Sequence, residues 1–225
     1  MKTIRMMGLV SALALAAAPT AAPAQFGGLA KLKSAVGGGE TASAPGTDAD
    51  SFLTNATHST KNVMIAAALL SQAVTDQSKL TSRKAEIDAL EKVQDIKELD
   101  AHRDTLSSDL AVLNGRSDLA ADLGAAYSAG DAQQKKVISV AVANLAIGIL
   151  RNTQLAGQAP GMVKSIGSAP ALLGRIGQFK LAAGLLGLQA KGLTGIATSM
   201  PKLLTAAKVH GPAASATSEP QAVAI

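Results

Sequence analysis

Across residues 48 to 210 the apolar side chains recur at intervals of three and four, a period that only an α-helix can turn to one side. Leu53, Ala56, Thr60, Val63, Ala67, Leu70 and Val74 make such a seam, the mark of a helix packed along its length on a neighbour. Asp48 or Asp50 can cap its start. A second stretch holds Leu80, Ile87, Leu90, Leu99, Leu106, Leu110 and Leu113 with charged residues between them. Within it, Asp95, Ile96, Lys97 and Glu98 have the spacing of a capping box, which predicts a helix restarting there and running to Asn114 and Gly115. Ser117 then opens a short helix ending near Gly130, and Asp131 caps another that carries the uncharged residues 137 to 150 and stops near Gly157. Pro160 and Pro170 each suit the first turn of a following helix, and Pro201 breaks or kinks the last one. Sustained two-residue alternation is absent and Ala and Leu dominate. The expected fold is an all-α antiparallel bundle of five to seven helices.

Composition removes several chemistries. The chain has no Cys, so disulfides, thiolate metal sites and a cysteine nucleophile are out. Its four aromatic residues, Phe26, Phe52, Tyr127 and Phe179, are too few for the stacking platforms of single-stranded nucleic acid binders.

The ends read differently from the middle. Lys2 and Arg5 precede an uncharged apolar stretch over residues 6 to 18, then Pro19 and a small-residue run ending at Ala24. That is the layout of a cleaved secretory signal over residues 1 to 24, too short in its apolar part for a membrane-spanning helix, and it implies export, with the periplasm or exterior as destination. Residues 25 to 47 are rich in Gly, Ala and Ser and read as a flexible leader, residues 48 to 210 as the helical bundle domain, and residues 211 to 225 as a disordered tail.

Charge is segregated along the chain. Removing Lys2 and Arg5 leaves 19 basic groups against 16 acidic ones. Residues 76 to 131 hold twelve acids and seven bases, whereas residues 132 to 218 hold nine bases and no acid. Opposed halves can fold on each other or leave the basic half facing an anionic partner. Lys164, Arg175, Lys180, Lys191, Lys202 and Lys208 are the candidate contact surface. Lys180, Lys191 and Lys202 are 11 residues apart, almost three full turns, and align if the helix runs through Pro201. On a wheel of the same helix, Leu185, Leu186, Leu188, Leu193, Ile196 and Met200 share an arc about 160° wide. Lys180, Lys191, Thr194 and Thr198 lie opposite with Gly184, Gly187 and Gly195. Glycine costs about 1 kcal/mol per interior helix position relative to Ala, so these glycines call for close approach of another helix, a ligand or lipid.

Catalytic signals are sparse. Of the three histidines, His58, His102 and His210, only His102 sits among acids, and Glu98 is four residues from it on the expected helix. A metal site can be drawn there, but paired Glu-x-x-His motifs on two helices are missing, so a solvated helix face is the favoured reading. Ser199 and Lys202 have Ser-x-x-Lys spacing without the companion motifs of acyl-transfer enzymes. The acids of the middle helices have the spacing of a solvated face.

The sequence therefore points to an exported, non-enzymatic helical bundle that works by binding an anionic or hydrophobic cell-envelope component, lipid or protein. It implies no cofactor, no metal and no nucleic acid partner. A membrane surface is a possible partner, and the oligomeric state is open. The alternatives are a membrane-active or self-assembling protein built on residues 171 to 208, and a metal-dependent hydrolase using Glu98 and His102.

Overall fold

The computed structural model describes residues 49–167, 170–209 and 220–225. The expected signal, the whole leader and most of the tail lie outside the described residues. Seven α-helices and two 3-10 turns make up the described chain, with no strand among them. They are α1 (Ala49–Asp76), α2 (Lys84–Lys92), α3 (Ile96–Asp100), α4 (Arg103–Asn114), α5 (Leu119–Ala129), α6 (Ala132–Gly167) and α7 (Ile176–Ala206), with 3-10 turns at Gln77–Arg83 and Pro170–Arg175. The all-α antiparallel bundle is the observed fold.

α1 runs through the centre. Residues 63 to 71 of it are all buried, and Ala66, Ala67 and Ala68 keep its girth small enough for neighbours on every side. α6 and α7 pack against α1 and against each other, and α4 crosses both α1 and α7. Where α6 meets α1, a Cβ added at Gly148 would stand 2.6 Å from Val63 Cγ2, so only hydrogen fits there. Phe52 and Phe179 stack with ring centroids 6.0 Å apart, joining the starts of α1 and α7. A buried polar chain ties α6 to the same two helices. Asn152 donates to the Leu186 carbonyl and to Gln189 Oε1, and Gln189 donates to Thr60 Oγ1 at 2.8 Å.

Local caps follow the sequence in several places. Asp131 accepts from the Gln134 amide while the Gln134 side chain accepts from the Asp131 amide, a reciprocal capping box. Asp95 caps α3 through the Lys97 amide. The α5 cap is Asp118, one residue beyond the expected Ser117.

Four expectations are corrected. The helix expected over residues 95 to 114 is two helices, because α3 ends at Asp100 and His102 takes non-helical dihedrals before α4. α6 passes Gly157 and contains Pro160 in its interior. The ring at Pro160 removes one bond to the Ala156 carbonyl, and α6 is long enough to carry that loss. Of the alternatives at Pro201, α7 takes continuation, the one that aligns the lysines. Pro170 opens a 3-10 turn, and the helix proper starts at Ile176. At the far end, residues 220–225 are not a free tail but lie extended along α6, with Val223 and Ile225 against the core. α6 is also long and apolar enough to cross a membrane, at a mean hydropathy of 1.2. Its apolar stretch is spent inside the bundle, where Val137, Ile138, Ala141, Val142 and Leu145 are all buried.

Candidate functional site

The amphipathic reading of α7 assigns the leucine arc to whatever α7 rests on, and the structure places that arc on its own bundle. Leu185, Leu186, Leu193, Ile196 and Met200 are buried at 3% exposure or less, and Leu188 is half-buried. The glycines divide by neighbour. A Cβ at Gly192 would stand 2.6 Å from Leu110 Cδ1, one at Gly195 2.7 Å from Asn114 Oδ1, and one at Gly184 3.3 Å from an Arg103 guanidinium nitrogen. All three neighbours belong to α4, so the close approach anticipated from the sequence is that of a helix. Asn114 fastens the contact by donating to both the Leu110 and Gly192 carbonyls. Gly177 and Gly187 face open space.

Of the six candidate cations, three form a row. Lys180, Lys191 and Lys202 are all exposed on α7, and because the helix passes through Pro201 they span 22 residues, about 33 Å, on one face. Gly187, Thr194 and Thr198 lie exposed between them, and the two threonine hydroxyls donate to carbonyls of their own helix. The other three are elsewhere. Arg175 is ion-paired with Asp50, Lys208 sits over the Tyr127 ring at 5.7 Å, and Lys164 is exposed near the end of α6.

The acidic half holds a site that sequence spacing does not reveal. Asp109, expected on a solvated face, is 4% exposed. It accepts from Ser71 Oγ at 2.6 Å and from Arg83 at 2.9 Å, and Arg83 also donates to Glu86 at 2.7 Å. Burial raises the Asp109 carboxyl above the ordinary carboxylate range, opposed by the Ser71 hydroxyl and the Arg83 charge. Burial pulls the Arg83 guanidinium down, but Glu86 and Asp109 together hold it above its usual value. Met64, Glu86, Leu90, His102, Thr105, Leu106 and Asp109 line a shallow depression beside this network, with no room for a water-sized guest. A Ser, a His and an Asp share this region, but the Ser71 hydroxyl bonds the carboxylate directly, so the relay of a nucleophilic triad is not built. Glu98 is not among the residues lining the depression with His102. Among the described residues no three His, Asp or Glu side chains are grouped to hold a metal ion. His58 is exposed on α1, and His210 lies outside the described residues.

No family model matches the chain, and neither does any curated protein or solved structure.

Proposed function

We propose that the protein is exported and works by binding, with the exposed lysine row of α7 as its contact with an anionic envelope surface. The observation that carries this reading is the orientation of α7: Lys180, Lys191 and Lys202 face outward along one continuous helix while its leucines are already buried at home. A row of charges separated by small residues suits a flat surface bearing many negative groups. Anionic lipid headgroups have that geometry. Each lysine near such a surface contributes about 1 kcal/mol, so three together give about 3 kcal/mol, roughly a hundredfold in affinity. The attachment is electrostatic and superficial, and it weakens with salt.

The test is co-sedimentation of protein from the exported fraction with phosphatidylglycerol-containing vesicles and with purely zwitterionic ones. The expected result is salt-reversible binding to the anionic vesicles alone, weakened roughly a hundredfold in the K180Q/K191Q/K202Q variant, with entrapped dye retained. Equal binding by variant and parent would refute the lysine row. Dye release would instead support the membrane-active reading of residues 171 to 208. Activity lost on metal removal and dependent on His102 would support the hydrolase reading.

A further inference from the structure

α6 carries a second surface, unrelated to the lysine row. Val140, Asn144 and Ile147 share one face at intervals of four and three and are 9%, 5% and 6% exposed. Residues 220–225 are pinned to this face. Asn144 meets Gln221 at two points, its amide nitrogen donating to the Gln221 carbonyl at 2.7 Å and its oxygen accepting from the Gln221 amide at 2.8 Å. Eleven residues back along α6, Gln133 donates to the Ala224 carbonyl at 2.5 Å, so the segment runs antiparallel to the helix. From residue 222 on its exposure alternates: Ala222 and Ala224 face outward while Val223 and Ile225 are half-buried against the core, and Gln221, also exposed, stands outside that pattern. A period of two belongs to an extended chain with one side down.

We propose that this face of α6 is a peptide-binding groove for an extended segment with apolar side chains at alternate positions, occupied in cis by the chain's own residues 220–225. Recognition runs through the main chain at Gln221 and Ala224 and through two apolar side chains. The groove therefore selects a conformation and an apolar spacing more than a particular sequence, as in other modes that capture extended peptides. The tether favours occupation in cis. Ser139 Oγ on α6 donates to the Ala207 carbonyl at 2.6 Å, which sets the end of α7 five residues along α6 from Asn144, and Pro220 follows 13 residues later in the chain. A covalent connection of that length puts the segment at an effective concentration on the order of millimolar, and an outside peptide must compete with it.

Release of Ile225 by a carboxypeptidase tests this on the full chain. Slow release is expected from the parent and at least tenfold faster release from Asn144→Ala, with the thermal unfolding of both recorded alongside. An acetylated and amidated peptide of residues 220–225, which keeps the contacts at Gln221 and Ala224 but offers no free terminus, should speed release from the parent in a saturable way at millimolar concentration. The same peptide with serine in place of Val223 and Ile225 should not. Equal release from parent and variant, or no effect of the peptide on the parent, would overturn the proposal. The peptide arm needs no variant and stands even where Asn144→Ala unfolds.

Discussion

The contact between α4 and α7 can be tested by two glycines on one helix. Replacing either Gly187 or Gly192 by Ala gives α7 the same gain in helix propensity, about 1 kcal/mol. Their surroundings differ. Nothing lies within 4 Å of a Cβ at Gly187, whereas one at Gly192 meets Leu110 at Cδ1 (2.6 Å), Cβ (3.2 Å) and Cγ (3.4 Å). Leu110 is 2% exposed, so its side chain has little room to swing aside, and overpacking of that kind costs about 1 to 3 kcal/mol. The propensity gain cancels between the two variants, leaving the overpacking as the difference. For a domain of this size each kcal/mol moves the melting temperature by about 2 to 4 °C. Thermal unfolding followed by circular dichroism should place Gly187→Ala a few degrees above the parent and Gly192→Ala below Gly187→Ala by at least 2 °C. Equal melting temperatures for the two variants would refute the close approach of α4.

Other outcomes follow from the same structure. The Asp109 carboxyl is raised by burial, so the folded state holds its proton to higher pH than the unfolded chain does. This group's contribution to stability should therefore fall as pH rises from the ordinary carboxylate value through the raised one. Asp109→Asn should remove that slope in urea titrations across mildly acidic pH, while Asp109→Ala, which strands the buried Ser71 hydroxyl and leaves Arg83 to Glu86 alone, should cost about 1 to 3 kcal/mol. Ser59 Oγ is buried with no hydrogen-bond partner among the described residues, and Ser59→Ala should raise stability by about 1 kcal/mol in the same titration. N-terminal sequencing of protein recovered from the exported fraction should begin at Gln25, and a mature chain retaining Met1 would remove the export reading.

Features set by neighbouring residues were legible in the sequence. The Asp131 cap, the Asp95 cap and the α5 stop at Gly130 all depend on side chains within a few residues of the backbone they serve. The lysine row was legible because an 11-residue spacing nearly closes on the helical period, and only its continuity through Pro201 was open. The break at His102 was not legible, since neither Gly nor Pro marks it and the leucines on both sides keep a helical spacing. Pro160 misled because its local penalty is fixed, whereas the packing that sustains a 36-residue helix is spread over the whole fold. Asp109 and the final segment escaped for a further reason. Their partners, Ser71 and Arg83 in one case and Asn144 in the other, lie 38, 26 and 77 residues away. No local pattern distinguishes a buried acid from a solvated one, or a docked Pro-flanked tail from a free one.

The lack of Cys leaves α7 open to a single reporter. A spin label on Thr194→Cys would stand on the exposed face between Lys191 and Lys202, and its accessibility to oxygen and to a water-soluble nickel complex reports its depth in a bilayer. On anionic vesicles the label is predicted to lose mobility but stay accessible to nickel, and to recover its free spectrum when salt is added. A label that becomes accessible to oxygen, shielded from nickel and indifferent to salt would show that α7 leaves the bundle and enters the membrane, contradicting attachment through its lysines.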